Sequence, residues 1–141
     1  MILLGIPGSG KSLAAKQAAR RLGVPLICAD WGGLISPILG QSEENVRNLL
    51  QVAEASSPSI LFFDDFDKAF STADLSQENG SEKRIAGYLL TWLQEHRSKV
   101  FTIVTCNRIV QLPPELKRRF NWKFNVDLPH EGSRYGIFRC I

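Results

Sequence analysis

"MILLGIPGSGKSLAAKQAARRL", residues 1–22, decides the fold. A short apolar run, ILLG, meets a glycine-rich turn and then an amphipathic stretch over residues 11–22, which reads as strand, tight loop and helix. Inside it GIPGSGKS, residues 5–12, fits the pattern G-x-x-x-x-G-K-[ST]. Gly8 and Gly10 let the backbone turn tightly enough for successive N–H groups to point at phosphate oxygens, and the helix N-terminus adds its positive end. Lys11 is then placed to reach the β- and γ-phosphates, and Ser12 to offer a hydroxyl to Mg²⁺. Pro7, Gly8, Ser9, Gly10, Lys11, Ser12 and Leu13 form the candidate nucleotide-binding set. The plain alternative is a strand-to-helix turn that happens to carry Lys-Ser.

Further along, ILFFDDFDKAF, residues 60–70, drives four apolar residues into Asp64 and Asp65, with Asp67 following. Carboxylates at the end of a buried run are costly unless a cation sits beside them. With a phosphate loop upstream, the Mg²⁺ of a bound nucleotide is the candidate cation for Asp64, held with Ser12 and usually through water. Asp67 is expected to organise the loop rather than to touch the nucleotide.

The remaining pattern alternates VPLICA, residues 43–55, SILFFD, residues 82–95, VFTIVTC and WKFNVDL: strand, helix, strand, repeated. That order predicts an α/β domain with a parallel sheet and helices on its faces. Val46, Leu49, Leu50 and Ala53 fall at i, i+3, i+4 and i+7, and Ile85, Tyr88, Leu89, Trp92 and Leu93 repeat the spacing, so both stripes are expected in the core. STADLSQENG, residues 71–80, reads as a loop, and EGSRYGIFRCI, residues 131–141, starts a helix.

At 141 residues the chain is one domain, large enough to bury roughly 70% of its unfolded surface without disulfide or metal. No apolar run approaches the roughly 20 residues needed to span a bilayer, and MILLG does not resemble a signal peptide. A net charge of +3, with the Lys and Arg scattered, argues against a nucleic-acid surface. Cys28, Cys106 and Cys140 are far apart, the first two in apolar stretches, which predicts reduced core thiols in a cytosol-like compartment. His96 and His130 lack the spacing of a structural zinc site.

Together with TIVTCNR, residues 102–108, and LPPELKRRFNWKFNVDLP, residues 112–129, these motifs resemble the AAA ATPases of the AAA+ superfamily over nearly the whole chain. The wording DKAF, TWLQEH and LPPEL is most similar to AAA proteins encoded in cyanobacteria and plastids. The resemblance implies a three-layer P-loop NTPase fold whose parallel five-stranded sheet, order 5-1-4-3-2, is flanked by helices. Residues 1–129 would form the nucleotide-binding core. Residues 130–141 would begin the connection to a helical lid that this chain lacks, so the chain reads as a piece of a larger protein. The implied cofactors are ATP and Mg²⁺, the implied assembly a homo-oligomeric ring, a hexamer, acting on a protein client, and the compartment cytoplasm or plastid stroma.

Carried over residue by residue, Asn107 occupies the polar sensor position that orients the attacking water, its alternative being a strand-end cap. Arg118 and Arg119 match the paired arginines presented to a neighbouring subunit's nucleotide; otherwise they are a solvated basic face. SPILGQSE, residues 36–43, aligns with the pore-lining loop, with Ile38 where the family usually has an aromatic and Leu39 beside it; the alternative is an ordinary loop leading into a helix. At the water-activating position the family has Glu and this chain has Asp65, shorter by one methylene, roughly 1.5 Å of reach. A displacement of about 1 Å can cost on the order of 10²-fold in rate. Asp65 is therefore either a weakened base or part of a slowly hydrolysing switch. The first reading is Mg-ATP binding and hydrolysis at a subunit interface, driving remodelling of a protein partner. The others are an ATP-gated assembly switch and a nucleic-acid motor or loader.

Overall fold

The computed structural model of the protein describes residues 1–30, 34, 40–70 and 80–139. Its strands are β1 (Ile2–Leu4), β2 (Leu26–Ala29), β3 (Ser59–Phe63), β4 (Val100–Cys106) and β5 (Lys123–Asn125), joined in one parallel sheet of order β2-β3-β4-β1-β5. This is the expected order 5-1-4-3-2, read from the opposite edge. The helices used below are α1 (Lys11–Leu22), α2 (Gln41–Ala55), α3 (Gly80–Glu95), α4 (Pro114–Arg119) and α5 (Glu131–Phe138). A 3₁₀ turn, Phe66–Phe70, follows β3.

All five residues of β3 are buried, as a central parallel strand covered on both faces requires. Because successive side chains alternate faces, Leu61 and Phe63 join one core with α2 and α3, while Ile60 and Phe62 join the other with Ala15 and Ala19 of α1. Ile2 and Leu3 of β1 divide the same way, as do Val104 and Ile103 of β4. Each such side chain contributes about 1.5–3 kcal/mol by leaving water. The expected stripes are inward: Val46, Leu50, Ala53, Ile85 and Leu89 are buried, and Leu49, Tyr88, Trp92 and Leu93 pack partly buried against them.

Several expectations shift. Helix α3 begins at Gly80, so the loop reading holds at most over residues 71–79, which lie outside the described residues. The seven-residue run WKFNVDL shrinks to the three exposed residues of β5, which among the described residues is an edge strand paired with β1 alone. Trp122 and Phe124 stay exposed there and stack on each other with ring centroids 6.3 Å apart. Cys106 is buried as expected, but Cys28 is exposed, because β2 is the other edge of the sheet. The terminal helix forms as read, its N-cap His130 accepting a hydrogen bond at Nδ1 from the Ser133 N–H at 3.2 Å.

A parallel sheet brings the carboxyl ends of β1, β3 and β4 to one edge. The glycine-rich turn after β1 therefore lies beside the acids that follow β3. Gly5 makes this junction possible: at φ 153°, a Cβ on it would fall 2.2 Å from the Val126 carbonyl oxygen.

Candidate functional site

The site starts at the N-terminus of α1. Gly10 takes the left-handed φ of 94°, a conformation costly for residues with a Cβ, and gives the helix no side-chain cap. The first-turn N–H groups are thus left for an outside acceptor. A Cβ on Gly8 or Gly10 would meet nothing within 4 Å, so the turn borders open space. That space is a cavity of about 500 Å³, lined by the loop from Pro7 to Leu13 except Ser9, and by Asp64, Asp65, Lys68 and Asn107.

Lys11 is only 6% exposed, and its ammonium, at the cavity wall, donates to the Gly5 and Ile6 carbonyls at 2.8 Å each, using two of its three N–H groups. Asp64, just past β3, accepts from Ser12 Oγ at 2.9 and 3.0 Å on its two oxygens and from Thr105 Oγ1 at 2.6 Å. The same Thr105 oxygen accepts the Asp65 N–H at 2.8 Å, so one fully buried hydroxyl ties both acids to β4. Asp65 itself sits at φ 48°, left-handed and uncommon for a residue with a side chain. Its Oδ1 accepts from Asn107 Nδ2 at 2.9 Å and its Oδ2 pairs with Lys68 Nζ at 2.6 Å.

These partners set the charge state. The hydrogen bond from Lys68 holds the Asp65 carboxyl below the usual carboxylate range, against the opposing effect of burial, with further help from the Lys68 charge, Asn107 and the Lys11 charge. Lys68 is raised reciprocally, chiefly by its bond to Asp65. Asp67, 3% exposed, accepts the backbone N–H groups of Asn107 at 3.2 Å and Arg108 at 2.8 Å. It fixes the turn that carries Asn107 and lies behind the cavity, as a loop-organising acid should. Burial, with Asp67 nearby, pushes the Cys106 thiol up to about 11, which leaves it an inert thiol.

A magnesium nucleotide fits the groups present. Asn107, on the cavity wall, has its Oδ1 buried without a partner, an acceptor suited to a water. Ser12 and Asp64 supply the hard oxygen donors that Mg²⁺ prefers, with room for water and phosphate oxygens to complete the shell.

Arg118 and Arg119 are not brought to this cavity. They are exposed on α4 and line a separate space of about 380 Å³ with Leu93, Gln94 and Asn121. There the Gln94 amide lies against the guanidinium of Arg119, and turned with its oxygen toward it would accept from Nε and Nη1. Ile38 and Leu39 lie outside the described residues. Sequence reasoning missed Thr105 and Lys68. The hint for Thr105 was a hydroxyl residue inside the apolar run VFTIVTC; the register Phe63↔Val104 sets it level with Asp64.

Comparison with known proteins adds a family. The model of the family described as "ATPase family associated with various cellular activities (AAA)" matches residues 1–128. The chain is 44% identical to the AAA domain-containing protein ycf46 of Guillardia theta over 99% of its own length and 28% of that protein's. It is 33% identical to a putative cell division cycle ATPase of Plasmodium falciparum, covering all of this chain and 12% of that protein. With the Arabidopsis thaliana Protein SUPPRESSOR OF K(+) TRANSPORT GROWTH DEFECT 1 the identity is 31%, over 98% of this chain and 32% of the other. The chain thus spans less than a third of the length of these curated relatives. The ycf46 likeness agrees with the resemblance to plastid-encoded AAA proteins. Among the described residues, no helix is long and apolar enough to cross a membrane.

Proposed function

The chain belongs to the AAA family of ATPases, and from that premise we propose that it binds Mg-ATP in the cavity at the N-terminus of α1 and hydrolyses it at a subunit interface, driving remodelling of a protein partner. The observation that carries the reading is the convergence of Lys11, Ser12, Asp64, Asp65 and Asn107 on one cavity. The loop N–H groups and Lys11 hold the phosphates, and Ser12 and Asp64 hold Mg²⁺, which neutralises charge developing on the phosphate oxygens. Asp65 accepts a proton from the attacking water, and Asn107 orients that water through its unpartnered Oδ1.

Arg118 and Arg119 act on a neighbouring copy's nucleotide, in keeping with their distance from their own cavity; fingers of this kind are worth about 10³ to 10⁵ in rate. The assembly of this proposal is a homo-oligomeric ring, a hexamer, as the family resemblance implies. Residues 1–129 serve as the nucleotide core and residues 130–141 lead toward a lid. Cytoplasm or plastid stroma is the compartment of this proposal.

One observation favours a second reading, an ATP-gated switch with slow turnover: both oxygens of Asp65 are already engaged, by Asn107 and Lys68. Steady-state ATP hydrolysis per subunit, measured on the intact protein over a wide concentration range, separates the two. A rate that climbs with concentration and is abolished in Arg119→Ala supports the interface ATPase. A flat rate near background that Asp65→Glu raises supports the switch. Brisk hydrolysis by a dilute monomer refutes the interface.

A further inference from the structure

We infer that Lys68 is the residue through which this site tells a nucleoside triphosphate from a diphosphate, by exchanging the Asp65 carboxylate for the terminal phosphate. The inference rests on the reading of the cavity as an Mg-ATP site and deepens it. It assigns a specificity role to a residue outside the phosphate loop and the acid pair.

Position is the first ground. Lys68 lies on the 3₁₀ turn directly after the acids and lines the loop cavity together with Lys11 and Ser12. It also lines a neighbouring cavity of about 460 Å³, bounded by Lys16, Cys28 and Asp30, that shares Asp64 and Asp65. Lys68 therefore borders both spaces, and it shares the first with Lys11 and Ser12, the loop residues placed to meet the terminal phosphates and Mg²⁺.

The second ground is which cation is able to move. Lys11 is buried and bound to two carbonyls of its own loop. Lys68 has a side chain 70% exposed on a flexible four-carbon stem, with Asp65 Oδ2 at 2.6 Å. An ammonium has three rotatable donors and no preferred plane, so it trades one oxyanion for another without loss of geometry.

Charge supplies the third. A γ-phosphate brought against Asp64 and Asp65 would place a third anionic group beside two carboxylates, a repulsive arrangement unless a cation accompanies it. Mg²⁺ at Ser12 and Asp64 and the Lys11 ammonium answer that charge on the loop side; on the Asp65 side the resident cation is Lys68, already paired to that acid. A diphosphate ends one phosphate short, so with it Lys68 keeps its hold on Asp65. When the ammonium transfers to a triphosphate, Oδ2 of Asp65 loses its partner and opens to water while Asn107 keeps Oδ1 in place. The substrate thereby releases the acid that its own hydrolysis requires.

The test is binding without turnover. Dissociation constants of the intact protein for Mg-AMP-PNP and Mg-ADP are measured by titration calorimetry in the wild type, Lys68→Met and Lys68→Arg. The expected result is a triphosphate preference in the wild type that falls about tenfold in Lys68→Met and survives in Lys68→Arg, with ADP affinity held to within about twofold. Exposure of Lys68 makes Lys68→Met safe for folding, and its urea midpoint checks this. If the wild type binds both nucleotides and the ratio is unchanged in Lys68→Met, the assignment of Lys68 is wrong although the ATP site stands. If the wild type binds neither, the ATP reading fails and takes this inference with it.

Discussion

Replacing Thr105 by valine removes one oxygen atom from the interior and should loosen both acids together. The Thr105 hydroxyl is fully buried, donates to Asp64 Oδ1 at 2.6 Å and accepts the Asp65 N–H at 2.8 Å. Valine has nearly the same volume and the same preference for a strand, so packing is preserved and the hydrogen bonds alone are lost. A bond to a charged acceptor is worth about 1.5–3 kcal/mol and a neutral one about 0.5–1.5 kcal/mol. Asp64 is exposed and can recover water, which draws the sum toward about 2–4 kcal/mol. For a domain of this size that lowers the melting temperature by about 5–15 °C. Urea unfolding followed by tryptophan fluorescence reads the difference directly. Thr105→Ser is the control, since it keeps the hydroxyl and gives up one methyl, about 0.8 kcal/mol. A Thr105→Val protein within about 0.5 kcal/mol of the wild type, or no weaker than Thr105→Ser, refutes the idea that this hydroxyl ties the acids to β4.

Other outcomes follow from neighbouring contacts. Gly5→Ala drives a Cβ to 2.2 Å from the Val126 carbonyl, so β1 and the chain after β5 must separate; a loss of more than about 2 kcal/mol in urea unfolding is expected. Asp67→Ala strips the acceptor from the Asn107 and Arg108 N–H groups, which should cost about 2–4 kcal/mol and slow hydrolysis, read in the same two assays. The Asp65 and Lys68 pair makes a pH prediction. Asp65 is shifted below its unfolded value, so the pair's contribution is fully present above the ordinary carboxylate range and is lost as pH falls through the lowered value. The raised Lys68 sets the opposite limit, with the contribution lost only well into the alkaline range. The gap in urea midpoint between the wild type and Lys68→Met should therefore be flat near neutrality and close in acid.

How much of this was legible beforehand depends on how local the signal is. Residues 60–63 announced a doubly covered strand because an unbroken apolar run admits little else, and the stripes of α2 and α3 repeat every turn. The run WKFNVDL misled for the converse reason. Trp122 and Phe124 are apolar, but they lie at and beside an edge strand of three residues that, among the described residues, has no element over it to bury them. Cys28 was misread in the same way, since apolar neighbours in sequence do not show which strand is an edge. Helix α4 is too short for a periodic pattern to stand out. Within the site, the loop motif and the acids could be read directly because their spacing is fixed by chemistry. Thr105 and Asn107 reach Asp64 and Asp65 across some 40 residues of chain, and only the parallel register aligns them. Lys68 is close in sequence, yet a lysine three residues after an acid is ordinarily a solvated surface charge, and neither the left-handed φ of Asp65 nor the place of the pair on the cavity wall is written in the local sequence.

The claim on which the rest depends is that the cavity at the N-terminus of α1 takes Mg-ATP. Titration calorimetry of the intact protein with Mg-ATP, wild type beside Lys11→Met, tests it most directly. The predicted result is saturable one-site binding that weakens by on the order of 100-fold in Lys11→Met, with circular dichroism confirming that the variant is folded under the conditions of the titration. Equal affinity in the two proteins, or no binding by the wild type, would contradict the account.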